Sequence, residues 1–116
     1  MGYDVHITRA EPWYESKSRP IKLDEWLRYI AADAEMRLDN YAEADVGGGE
    51  VLRVESEGLA VWTAYIGHGL DGNMAWFSFH DGRVIVKNPD DEILAKMRDI
   101  AAALKAKVIG DEGEFY

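Results

Sequence analysis

"YIGHGLDGNMAWF" (residues 65–77) contains a complete G-x-G-x-x-G, with glycines at Gly67, Gly69 and Gly72. This stretch decides between two folds. In a dinucleotide-binding loop the glycines let the backbone approach a pyrophosphate. A helix opening directly after them aims its N-terminal amides at that charge. The motif therefore needs a strand before it and a helix after it. A strand precedes it in "LAVWTAYI" (59–66), but the segment after it, "MAWFSF" (74–79), alternates and is β-prone. Next come "HDG" (80–82) and "RVIVKN" (83–88), and Asp-Gly between alternating apolar runs is a hairpin signal. No helix opens after the glycines, and Asp71 within the loop would repel a phosphate. Asp90 and Asp91 stand near the distance expected of a ribose-binding acid, yet a helix start accounts for them. The stretch reads as a long loop between antiparallel strands, its glycines permitting positive φ. No cofactor is expected.

Working outward, short strand candidates run over Tyr41–Val46, Glu50–Glu55, Leu59–Ile66 and Met74–His80, separated by "GGG", "SEG" and the glycine loop. With 83–88 they predict an antiparallel meander from 41 to 87. Downstream, "NPDDEILAKMRDIAAALKAK" (88–107) is a helix pattern. Asn88 serves as its cap and Pro89 as its first residue. Asp90, Asp91 and Glu92 suit the positive end of the helix dipole, and Lys105 and Lys107 the negative end. Ile93, Met97, Ile100, Ala101 and Leu104 form its apolar stripe.

Upstream, "LDEWLRYIAADAEM" (23–36) places Leu23, Trp26, Leu27, Ile30 and Ala34 on one helical face. If Lys22 is the cap position, Ile21 and Trp26 make a hydrophobic staple. "YDVHITR" (3–9) alternates as a strand. Residues 10–22 form a loop holding Pro12 and Pro20, whose Trp13 and Tyr14 fold back onto the core. The tail "VIGDEGEFY" (108–116) gives a short strand, a turn and an aromatic pair. The sum is one α+β domain over 1–116, an antiparallel sheet of five to seven strands with two helices on one face.

Composition narrows the function. The 47% hydrophobic and 30% charged fractions are those of a globular protein. No apolar run approaches the ~20 residues that span a bilayer, and the first ten residues lack a secretory pattern, so a cytoplasmic location is expected. Without cysteine there is no disulfide, thiolate metal site or thiol nucleophile. The 22 acidic and 13 basic residues leave a net charge of −9. Such a surface repels nucleic acid and anionic membranes and speeds encounter with a basic partner.

No catalytic or metal constellation stands out. His6, His68 and His80 are scattered, with no H-x-x-x-H or H-x-H pair, and each is read as a lone surface or rim histidine. "GDEGEFY" lacks the ligand spacing of a calcium loop. Glu43 with Asp45 and Glu55 with Glu57 share strand faces, as chance pairing among 22 acids predicts. Neither Ser56 nor Ser78 sits in a nucleophile elbow. The aromatic residues say more. Parity puts Met74, Trp76, Ser78 and His80 on one face of their strand and Ala75, Phe77 and Phe79 on the other. One face meets the helices, and aromatics on the other are available to a partner.

The segments "YDVHITRAEPW", "LDEWLRYIA", "DGRVIVKNPDDEILAKM" and "AKVIGDEGEFY" resemble a set of small bacterial proteins that have no assigned activity. In size and acidity the chain is also similar to the immunity proteins of bacterial toxin systems. Three functions are expected from these features. The first is a non-catalytic acidic module binding a basic protein, possessing a contact surface at Trp76, Met74, Glu43, Asp45, Glu50 and Glu55. The second is a small-ligand binder or enzyme with a pocket between the sheet and the 10–22 and 67–73 loops, lined by Trp13, Tyr14, His68, Asp71 and His80. The third is a homodimer joined through an exposed strand face.

Overall fold

The computed structural model describes residues 3–66 and 75–116. Their elements are β1 (Asp4–Thr8), a 3₁₀ turn (Trp13–Glu15), α1 (Leu23–Ala32), β2 (Met36–Leu38), β3 (Tyr41–Gly47), β4 (Glu50–Glu55), β5 (Ala60–Trp62), β6 (Trp76–His80), β7 (Arg83–Lys87), α2 (Asp91–Leu104) and β8 (Lys107–Gly110). Six strands make one antiparallel sheet in the order β2-β5-β6-β7-β1-β8, and β3 with β4 makes a separate two-stranded sheet. The fold is α+β, with both helices on one face of the larger sheet.

The glycine loop joins strands that are antiparallel neighbours, since Ala60 pairs with Phe77 and Val61 with Trp76. The residues after it enter β6, not a helix. The strand–loop–helix unit that a dinucleotide needs is therefore not built here. Asp81 (φ 52°) and Gly82 (φ 80°) turn β6 into β7, both left-handed as a two-residue hairpin requires. Gly82 has a second reason to lack a side chain. A Cβ there would stand 2.7 Å from Cβ of Pro20.

β7 and β8 are each antiparallel to β1, so they run parallel to one another, with α2 as the crossover. Val5 and Ile7 of β1, Phe77 of β6, Val84 and Val86 of β7 and Val108 of β8 face the helices. Against them pack Trp26 and Ile30 of α1 and Ile93, Met97, Ile100, Ala101 and Leu104 of α2. The α2 stripe is the one its spacing predicts. In α1, Trp26 and Ile30 are buried and Leu27 half-buried, but Ala34 is exposed.

Several boundaries differ from expectation for identifiable reasons. α1 stops at Ala32, and Met36, expected in the helix, opens β2. β5 ends at Trp62 because Thr63 turns to Glu35, donating its backbone N–H (2.8 Å) and its hydroxyl (2.9 Å) to that carbonyl. The cap of α2 is Asp90 rather than Asn88. Its Oδ1 accepts the N–H of Ile93 at 2.8 Å. Asn88 is instead left-handed (φ 49°) and closes the β1–β7 pair through two bonds with the Tyr3 backbone. Lys22 does hold the cap position of α1. Its N–H donates to Glu25 at 3.1 Å, and Ile21 and Trp26 are both fully buried, as a staple should be.

The expected meander from 41 to 87 is interrupted. β3 and β4 leave the main sheet at Asn40, whose φ of 61° turns the chain outward. The side chain of Asn40 accepts the Gly58 N–H (3.0 Å) and its carbonyl accepts that of Ser56 (2.8 Å), clamping the base of this hairpin. Gly47, Gly48 and Gly49, all at positive φ, form its tip.

Arg9 ties the two helices together. Its guanidinium grips Glu25 with two bonds (2.9 and 2.7 Å) and donates twice to the Leu104 carbonyl at the end of α2. The Arg9 guanidinium, with the Lys22 amide, draws the Glu25 carboxyl down to about 2.

Candidate functional site

The face of the sheet turned away from the helices carries the polar chemistry. Alternation puts Asp4, His6 and Thr8 of β1 on this face, with Trp76, Ser78 and His80 of β6 and Arg83, Ile85 and Lys87 of β7. Register sets His6 opposite both Ile85 and Ile109, and Ser78 opposite Ile85.

Half of this face is covered. The 10–22 loop lays Trp13 over His6, and the segment after β8 brings in Asp111. His6 is only 2% exposed. Its Nδ1 accepts from Arg83 Nε at 3.2 Å, and its Nε2 pairs with Asp111 Oδ1 at 2.9 Å. A guanidinium N–H can only donate, so Nδ1 must be the unprotonated nitrogen and Nε2 carries the proton. Burial, helped by the charge of Arg83, lowers the His6 pKa below its ordinary value, although Asp111 opposes this. Burial alone would raise Asp111. The hydrogen bonds from His6 and from the Asp4 amide (3.0 Å to Oδ2) prevail and hold it below the usual range. The Trp13 indole N–H donates to the Asp111 carbonyl at 3.2 Å, and Arg83 lies 5.0 Å above the Trp13 ring. Thr8 and Ser16, both buried, share a 2.8 Å hydroxyl contact below.

Both nitrogens of His6 are engaged and its ring is covered. Nothing remains to take a proton from a substrate, so this His–Asp pair is a clasp for the loop rather than an acid–base dyad. The expectation of a lone rim histidine at His6 is corrected accordingly. The missed signal was the polar side of "YDVHITR", which could be buried only if the following loop folded over it.

A pocket of about 320 Å³ is lined by Asp4, Trp76, Ser78, His80, Ile85 and Lys87 of this face and, from the helix side, by Ala75, Val86 and Ile93. It draws Trp76 from the expected contact surface and His80 from the expected ligand pocket. Trp13 is engaged in the clasp instead, and Tyr14 is 67% exposed. Met74, His68 and Asp71 lie outside the described residues. Glu43, Asp45, Glu50 and Glu55 all fall on the β3–β4 hairpin.

A second polar network lies at the far end of the helices. Lys96, only 8% exposed, reaches Asp33 at 2.6 Å and Glu35 at 3.3 Å. The Tyr29 hydroxyl donates to Asp33 at 2.6 Å, and the Trp62 indole to Glu35 at 3.1 Å. Burial, together with the neighbouring Asp33 carboxylate, pushes the Tyr29 phenol up. Lys96 stands three residues after Ile93 on the buried stripe, which is the spacing that could have revealed it. Among the described residues no group of three or more His, Asp or Glu is placed to hold a metal ion. No helix among them is long and apolar enough to cross a membrane.

No family model matches the chain, and no significant match is found among curated proteins or solved structures.

Proposed function

We propose that the protein is a non-catalytic acidic binding module of the immunity type that engages a basic protein through its β3–β4 hairpin. One observation carries this reading. The four acids singled out in sequence converge on a two-stranded element that stands apart from the main sheet. Tyr41 pairs with Glu55, Glu43 with Arg53 and Asp45 with Val51, so the three acids stand at alternate register positions of the paired strands. Glu50 adjoins the tip. Arg53 offsets part of this charge, and the net −9 of the chain reinforces it. Leu52, 53% exposed, has the opposite parity along its strand and so belongs to the other face of the hairpin. The proposed contact is the hairpin, not the recessed surface around Trp76. A cytoplasmic setting fits this role.

The test compares the native protein with a variant carrying Glu43→Lys, Asp45→Lys, Glu50→Lys and Glu55→Lys as baits in a bacterial lysate. The reading expects a basic protein retained by the native chain at low salt, released at high salt and lost from the variant. Circular dichroism confirms that the variant is folded. Equal retention by both baits would overturn the assignment.

A further inference from the structure

Residues 11–20 bridge two fixed points across the outer face. At one end Arg9 grips Glu25 and the Leu104 carbonyl, and Ala10 is buried. At the other Ile21 is buried and donates its N–H to the Gly82 carbonyl at 2.9 Å. Both points hold without His6. Between them Ser16 is buried, Pro12 and Trp13 are half-buried, and the remaining residues are exposed. The ion pairs of this strap, Glu11 with Lys107 and Lys17 with Asp81, are exposed, and such pairs contribute little. Its one large apolar anchor is therefore Trp13, and that indole rests on a titratable ring.

The neutral form of the ring is what the anchor requires. Nδ1 of His6 accepts from Arg83 Nε, and the same guanidinium lies 5.0 Å over the Trp13 ring. A proton on Nδ1 sets two N–H donors against each other at 3.2 Å and puts a second positive charge beside a cation. Arg83 has somewhere to go, because Asp81 Oδ2 stands 4.0 Å from its Nη1 in the exposed turn. Its departure removes a contact of the indole as well. The other charges around the ring do not relieve the conflict. Asp111 accepts from Nε2 in either form, and Asp4, on the same strand, favours the charged ring through space. Lys107 of β8 is held by Glu11, and His80 of β6 stands opposite Arg83 in register and is exposed. Val5 and Ile7, on either side of His6 in sequence, face the helices, so the helix-side core takes no part in the change.

We propose that the 10–22 loop is an acid-released strap: protonation of His6 at Nδ1 drives Arg83 toward Asp81, unseats Trp13 and opens residues 11–20 while the sheet and both helices stay folded. The device does not rest on the binding-module reading.

The test follows ¹⁵N-labelled protein by NMR from about pH 8 to about pH 4.5, reading the His6 ring, the amides and the Trp13 indole together. Signals of 13–19 should move with the midpoint of the His6 ring, and protection of the Trp13 indole N–H against solvent exchange should fall about tenfold. The amides of Met97 and Ile100, both fully buried in α2, should stay protected. His6→Gln should abolish the transition, and His80→Gln should leave it in place. Arg83→Met removes the opposing cation, so His6 should titrate in this variant with the strap still closed. If His6→Gln does not fold, the native titration and Arg83→Met decide. A His6 ring still neutral at about pH 4.5 would overturn the proposal. So would a strap indifferent to the His6 titration, α2 amides opening at the same midpoint, loss of the transition in His80→Gln, or release in Arg83→Met equal to that of the native protein.

Discussion

The imidazole of His6 lies flat against the indole of Trp13, with ring centroids 4.0 Å apart and planes 7° from parallel. The stack is where the 10–22 loop meets the sheet. It explains how a strand with a histidine and a threonine on its outer side can sit in the middle of the sheet. Trp13 excludes water from the ring, Asp111 and Arg83 satisfy its two nitrogens, and Ser16 satisfies Thr8.

Trp13→Ala removes the stack, the indole bond to Asp111 and the cover over His6. A loss of about 2–4 kcal/mol is expected in urea unfolding. His6 in the variant should titrate closer to its ordinary value, because water then reaches the ring. An NMR titration of the imidazole reads this directly.

Stability should fall as the solution is acidified. His6 has a lowered pKa in the folded chain and about 6.5 unfolded. The unfolded chain therefore binds more protons in the interval between the two values. The His6 contribution is complete above about pH 6.5 and is lost as pH falls through the folded value. A protonated ring would also set an N–H against the Arg83 N–H. Asp111, likewise lowered, adds a second loss below the ordinary carboxylate range. Melting temperatures of native protein and His6→Gln between pH 8 and pH 5 make the comparison, and the variant should show the flatter slope. Parallel slopes would remove His6 from the account.

Lys96→Met should cost about 1–3 kcal/mol. It leaves Asp33 without its ammonium partner, although Tyr29 and the Glu35 amide still donate to it. Adding Asp33→Asn should recover part of that loss, because the uncompensated charge is then gone. Chemical denaturation of the two single variants and the double variant gives the coupling.

Lys105→Gly should stabilise the protein by about 0.5–1 kcal/mol. Lys105 caps α2 at φ 55° and ψ 46°, a left-handed conformation that glycine adopts without steric cost. Gly82→Ala should act in the opposite sense, since its Cβ meets Pro20 and its backbone is left-handed. Urea midpoints at unchanged m-value check both.

The sequence was most legible where local signals agreed with tertiary packing. The α2 stripe, the Asp-Gly hairpin and the staple at Ile21 and Trp26 are each determined within a few residues. Legibility failed where a distant partner decides. Met36 continues a helical pattern but pairs with Trp62. Asn40 looks like an ordinary turn residue, yet its conformation sends β3 and β4 out of the sheet. The polar groups were hardest to place. Asp111 reaches His6 across the sheet, and Lys96 joins Asp33 and Glu35 from another helix. No spacing along the chain records those meetings. Trp76 and His80, assigned in sequence to separate roles, share one pocket because their alternation along β6 puts both on the uncovered half of the outer face.

The placement of β1 between β7 and β8 has a consequence for synthesis. Val5 pairs with Val86 on one side and Gly110 on the other, so both of its neighbours leave the ribosome long after it does. Until then Val5 and Ile7 are apolar strand residues with no sheet to join. The nascent chain must keep them from other partners until Val84 and Val86 of β7, and then Val108 and Gly110 of β8, have been made. Closure of the sheet is therefore a late event dominated by long-range pairing, and folding should be slow for a chain of this size.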